Sequence, residues 1–192
     1  MSQSATARQP EPEVAEAFRI TPLEAPLGAE VRGLDARRPL APEQVLALKQ
    51  ALREHHILVF RQQHLDDEQY LRFATLFGSV FQPPADIPVL SSGGDGKVPE
   101  IVKVANTGDG ELGNFALPAH IDHQWTPVPS SGSLLYALEV PSSGGETRFT
   151  NLARAYESLD QATRREIDGL RLINYNPFIR LREGGYGGGF AT

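Results

Sequence analysis

The sequence predicts an α+β fold, on three observations. Helical periodicity runs through PLAPEQVLALKQALREHH (39–56) and again through DEQYLRFATLFG (67–78). Between them, ILVFR (57–61) is a continuous apolar run with the length of a buried strand. Further on, SLLYALEV (133–140) sets Leu134, Tyr136, Leu138 and Val140 against Leu135, Ala137 and Glu139, the two-residue period of a half-buried strand.

Each element has its own signals. FRITPLEAPLGAEVRGLD (18–35) reads as two short extended pieces around a Pro/Gly turn. In the first helix, Pro42 suits the opening turn, Val45, Leu48 and Leu52 share a stripe, and His55 and His56 close it, where a cation is favourable. Asp66 or Asp67 can cap the second helix and Gly78 can end it, with Tyr70, Phe73, Ala74 and Phe77 on the buried face. EIVKVA (100–105) is a further strand, flanked by long loops at 81–99 and 106–118. PSSGG is a turn and ETRFT a strand, Asn151 or Thr150 caps the helix NLARAYESL, and Asp160 caps DQATRREIDGL. RLINYN is a last strand, and the Gly-rich EGGYGGGFAT (183–192) is expected not to complete a sheet. Residues 1–17 are polar, with alternating Pro and Glu, and read as a disordered leader, leaving 18–192 as one domain.

Composition narrows the function classes. With 18 Lys and Arg against 24 Asp and Glu, the net charge of −6 leaves no basic footprint for nucleic acid or an anionic membrane. No run approaches the roughly 18 apolar residues of a membrane span, and the N-terminus has no apolar signal segment. A cytoplasmic protein is expected, with a homo-oligomer left open. There are 0 Cys, so disulfides and thiolate ligands are excluded and any metal falls to His and carboxylate. SSGGDGKV lacks the opening Gly and the hydroxyl residue after Lys97 of a phosphate-binding loop, and no GxSxG nucleophile elbow occurs.

The chemistry concentrates in HIDHQW (120–125). On an extended strand His120 and Asp122 face the same way and can touch one divalent ion, while Ile121 points to the opposite layer. A nitrogen and a hard oxygen, completed by a second His, make the facial triad of non-haem Fe(II) oxygenases, with three coordination positions left open. The spacing alone is weak: five His and nine Asp predict about 0.23 chance matches. His64 and Asp66 in HLDDEQ share it, and there Asp66 reads as a helix cap and His64 as a surface residue. His123 should face the other side of a regular strand, a poor third ligand, and act in packing or in support of a ligand.

Context separates the two motifs. Trp125, a Pro-rich turn, a Gly, the SLLYALEV strand and PSSGGET (141–147) follow His120 and Asp122 in order. With ITPLEAPLGAEVRGLD, HHILVFRQQ and RFATLFG upstream, the chain from about 18 to 180 resembles the taurine and chlorophenoxyacetate dioxygenases. That resemblance implies a double-stranded β-helix (jelly-roll) core flanked by helices, incomplete in this chain. It implies Fe(II) as metal and 2-oxoglutarate as co-substrate, with oxidative decarboxylation to succinate coupled to hydroxylation of an unactivated C–H bond.

Residue by residue, the resemblance assigns His120 and Asp122 to iron and Thr147 to a carboxylate of 2-oxoglutarate. Trp125 would wall the pocket for a small, acidic organic substrate, with dioxygen as the other reactant. Asn114 and Gln82 are pocket candidates by location, and the 81–99 and 106–118 loops are positioned to form a lid. The corresponding regions carry no convincing match to a taurine sulfonate site.

The family's second His ligand and the Arg that pairs with the far carboxylate of 2-oxoglutarate have no counterpart, because no His follows His123 and Arg180 and Arg182 do not fit the motif. Three readings follow: a fragment of a full-length enzyme, which is favoured; a chain completed by another polypeptide; or a non-catalytic binding remnant of the same fold. Little or no turnover is expected of the chain alone.

Overall fold

The structure is a computed structural model that describes residues 18–81, 101–102, 104, 119–124, 126, 128–174 and 190–191. The leader at 1–17 and nearly all of the 81–99 and 106–118 loops lie outside them. The chain divides into two compact units, Met1–Leu65 and Asp66–Thr192.

In the first unit, β1 (Arg19–Pro22) pairs antiparallel with β2 (Ala29–Arg32), from Arg19 opposite Arg32 to Pro22 opposite Ala29. Pro22 is tolerated because β1 is an edge strand. The turn between them closes on Leu23 N–H donating to the Gly28 carbonyl at 2.9 Å. Gly28 has φ +103°, a backbone conformation that glycine takes freely and that would strain any other residue. Helix α1 (Pro42–His55) then crosses over to β3 (Leu58–Phe60), which runs parallel to β2 with Ala29 opposite Leu58 and Val31 opposite Phe60.

The expected features of α1 hold. Pro42 opens it, Gln44 Oε1 accepts the Ala41 N–H at 2.9 Å, and the chain leaves through His56 in the left-handed region at φ 66°. Leu48 and Ala51 are buried on its inner face, with Val45 and Leu52 half-buried beside them. Ala29, Val31, Leu34 and Ala36 complete the buried apolar set of this unit. His55 has a structural role as expected: it ends the helix, and its carbonyl accepts the Gly28 N–H at 2.8 Å.

The second unit opens with α2 (Asp67–Thr75), capped by Asp66. Asp66 Oδ1 accepts the Gln69 N–H at 2.8 Å and Gln69 Oε1 accepts the Asp66 N–H at 3.1 Å, a reciprocal box that satisfies two exposed donors. Asp66→Ala is expected to cost about 1 kcal/mol of stability, measured by thermal or urea unfolding, because it strands the Gln69 donor. Phe73 is buried and Tyr70, Ala74 and Phe77 are half-buried, as the periodicity predicts. The Tyr70 ring lies 5.9 Å from that of Tyr136, and its hydroxyl donates to the Leu134 carbonyl. The helix stops at Thr75, ahead of Gly78, which lies beyond a short turn.

Two expected strands, and the described part of a third, are corrected. In 134–140, Leu134 and Tyr136 are half-buried and Leu135 is 70 % exposed, so the alternation begins as predicted. Leu138 and Val140 are nevertheless each 78 % exposed, and no ladder pairs this segment or ETRFT among the described residues. Alternation determines which side chains share a face; a ladder also needs a partner strand. The intervening turn does form, with Gly144 and Gly145 at φ 75° and 74°. Likewise, the described residues of EIVKVA form no strand.

Downstream, Asn151 caps α3 (Leu152–Glu157) by accepting the Arg154 N–H at 3.0 Å, and Asp160 caps α4 (Gln161–Ile167) through the Ala162 and Thr163 amides. The RLINYN segment supplies β4 (Ile173–Asn174). It pairs antiparallel with β5 (Phe190–Ala191), so the Gly-rich end does contribute to a sheet, against expectation. A two-residue ladder needs only backbone groups in register, which neighbouring glycines do not oppose. Among the described residues, no helix is long and apolar enough to cross a membrane.

Candidate metal centre

His120 and Ile121 lie in irregular backbone that enters a turn at Asp122–Gln124, so the predicted strand through HIDHQW is not the device that aligns the pair. The turn is secured by Thr126, which is 8 % exposed. Its N–H donates to the His123 carbonyl at 3.0 Å, and its hydroxyl stands 2.9 Å from both the His123 and Val128 carbonyls. His123 adopts φ 52°, a left-handed conformation that reverses the chain directly after Asp122.

The pair converges all the same. His120 Nε2 stands 3.1 Å from Asp122 Oδ1, with the two side chains 51 % and 50 % exposed. The other carboxylate oxygen, Oδ2, accepts from Ser133 Oγ at 2.6 Å. His123 is held elsewhere, its Nδ1 2.7 Å from Ser130 Oγ and its ring stacked on Phe81 with centroids 4.0 Å apart. This agrees with the packing role read from the sequence.

A divalent ion fits this donor set. Two ligands at right angles on bonds of about 2.1 Å stand about 3.0 Å apart, close to the separation of Nε2 and Oδ1. One imidazole nitrogen and one carboxylate oxygen suit iron or manganese. Among the described residues, no third His, Cys, Asp or Glu joins them. Thr147 lies on the exposed segment just beyond Gly145. Trp125, Asn114 and Gln82, as well as Arg180 and Arg182, lie outside the described residues. The HLD motif separates as expected, with Asp66 serving as the α2 cap.

Sequence reasoning missed Ser130 and Ser133. The signal is the PSSGS run, hydroxyl side chains placed 8 and 11 residues beyond Asp122, which on its own reads as a turn. Turn-forming serines are common, and nothing local distinguishes one that reaches back to a ligand.

The His120–Asp122 imidazole–carboxylate pair is thus the candidate ligand pair for a metal ion among the described residues. Residues 19–184 match the family model for the taurine catabolism dioxygenase TauD, TfdA family, and the chain belongs to that family. It is 35 % identical over 157 residues to the (S)-phenoxypropionate/alpha-ketoglutarate-dioxygenase of Delftia acidovorans, covering 77 % of this chain and 51 % of the relative. It is 31 % identical over 179 residues to the alpha-ketoglutarate-dependent sulfate ester dioxygenase of Pseudomonas putida, covering 93 % and 55 %. The chain spans about half the length of the curated relatives it matches.

Solved structures agree. A taurine dioxygenase described as putative and alpha-ketoglutarate-dependent, from Burkholderia xenovorans, superimposes with a TM-score of 0.68 at 28 % identity, covering 88 % of this chain and 61 % of that one. AAD-2 in complex with Mn(II) and N-oxalylglycine superimposes with a TM-score of 0.64 at 31 % identity, covering 83 % and 53 %.

Proposed function

We propose that this chain supplies His120 and Asp122 to an Fe(II) centre, and Thr147 to 2-oxoglutarate, in an oxygenase that hydroxylates a small, acidic organic molecule on a jelly-roll scaffold. The observation that carries the proposal is the 3.1 Å approach of His120 Nε2 to Asp122 Oδ1, a spacing suited to adjacent ligands of one ion. The substrate class is supported by the names of the relatives, which act on phenoxypropionate, sulfate esters and 2,4-dichlorophenoxyacetate.

In this reading the imidazole and the carboxylate hold the metal, and the carboxylate offsets part of its charge. The Thr147 hydroxyl donates to a carboxylate of the co-substrate, a charge-assisted hydrogen bond. By the family resemblance Trp125 would wall the substrate pocket, and Asn114 and Gln82 are candidates for its lining. When bound, Fe(II) with 2-oxoglutarate and dioxygen supplies the oxidising power for an unactivated C–H bond.

Calorimetric titration of 2-oxoglutarate into the chain in Mn(II) tests the proposal. Binding is expected to require the metal and to weaken about tenfold in Thr147→Ala, the effect of one hydrogen bond to a charged group. Equal binding without metal would refute it. The two ligands found among the described residues would hold Fe(II) loosely, so succinate release by the 192-residue chain is expected to stay at background. Robust release would show that the chain needs no further ligand.

A further inference from the structure

The two oxygens of Asp122 have different partners. Oδ1 faces His120 Nε2 at 3.1 Å, and Oδ2 accepts the Ser133 hydroxyl at 2.6 Å. The Ser133 hydroxyl is the donor of this bond, so its single hydrogen points to Oδ2. Left to itself, an exposed aspartate rotates about its side-chain torsions and can offer a cation either oxygen or both. The hydroxyl removes that freedom.

Ser133 is itself well placed to hold still. The next residue along the chain, Leu134, has its carbonyl engaged by the Tyr70 hydroxyl, and Tyr70 sits on the half-buried face of α2. On the other side of Asp122, His123 is fixed by Ser130 and by the Phe81 ring. Asp122 is thus held on its backbone side by the turn and at its carboxylate end by a hydroxyl tied back to a helix.

We propose that Ser133 is a positioning residue, which engages Oδ2 of Asp122 and thereby presents Oδ1 alone to a divalent metal beside His120. The inference rests on the metal-site reading above. It concerns a polar partner of a ligand, a class of group whose removal lowers metal affinity by about 10–100-fold.

The test is Mn(II) binding to the full chain, followed by loss of the free-ion electron paramagnetic resonance signal, with circular dichroism as the check on folding. Ser133 is exposed, so its replacement opens no buried cavity. Ser133→Ala is expected to bind Mn(II) about tenfold more weakly, and Ser133→Thr, which keeps the hydroxyl, within about twofold of the parent. Parent-like affinity in Ser133→Ala would overturn the role of Ser133 and leave the metal site standing. Equal loss in both variants would assign the effect to packing and overturn it as well. A parent chain that binds no tighter than His120→Ala would overturn the metal site, and the role of Ser133 with it.

Discussion

Replacing His120 by Ala is expected to lower Fe(II) or Mn(II) affinity at least about 100-fold while the chain remains folded. Loss of a group that merely supports a ligand costs about 10–100-fold, and His120 is proposed as a direct donor, one of two among the described residues. Its side chain is 51 % exposed, so truncation removes a nitrogen from the site without leaving a void in a core. Asp122→Asn provides the complementary experiment. The amide preserves shape and an oxygen able to accept from Ser133, but it removes the negative charge that makes the carboxylate a hard ligand. Metal binding is expected to fall sharply there too. Unchanged affinity in both variants, measured by anaerobic equilibrium dialysis, would mean that the 3.1 Å approach is an ion pair without a metal function.

Leu48→Ala is expected to destabilise the N-terminal unit by about 2–5 kcal/mol, at the upper end of that range. Leu48 is 0 % exposed, and several of the other buried residues of that unit, Ala29, Ala36 and Ala51, are too short to reach into the space it would vacate. A cavity that cannot collapse keeps its full cost. Against a typical total stability of about 5–15 kcal/mol, such a loss is large. Leu46 on the same helix is 62 % exposed, and Leu46→Ala should cost no more than about 0.5 kcal/mol. Urea unfolding followed by circular dichroism distinguishes them, and equal shifts in midpoint would contradict the placement of the core.

The local signals in the sequence are realised residue by residue. Pro42 opens α1, Asp66 and Gln69 cap α2 reciprocally, and Asn151 and Asp160 cap α3 and α4. Each of these devices acts within three or four residues, so a short window holds all the information it needs. β3 was legible for the same reason, as an apolar run bounded by a helix on either side. The 133–140 and 146–150 segments were not, because whether an alternating stretch enters a ladder depends on a partner elsewhere in the chain. β4 finds its partner at Phe190–Ala191, across a separation that no local pattern encodes.

The metal pair divides along the same line. From the sequence alone came the donor types, the exclusion of thiolates, and the family signature in HIDHQW and PSSGGET, because these depend only on which residues are present and in what order. Tertiary structure decided how His120 and Asp122 meet: through a turn locked by Thr126 and a left-handed His123, in place of the regular strand that the two-residue spacing suggests. It also decided that Ser133, 11 residues further on, grips the free oxygen of Asp122. Hydrogen bonds of that kind require two loops to be brought together, and their closure is set by packing around Tyr70, Phe81 and Thr126 and not by the residues that form the bond.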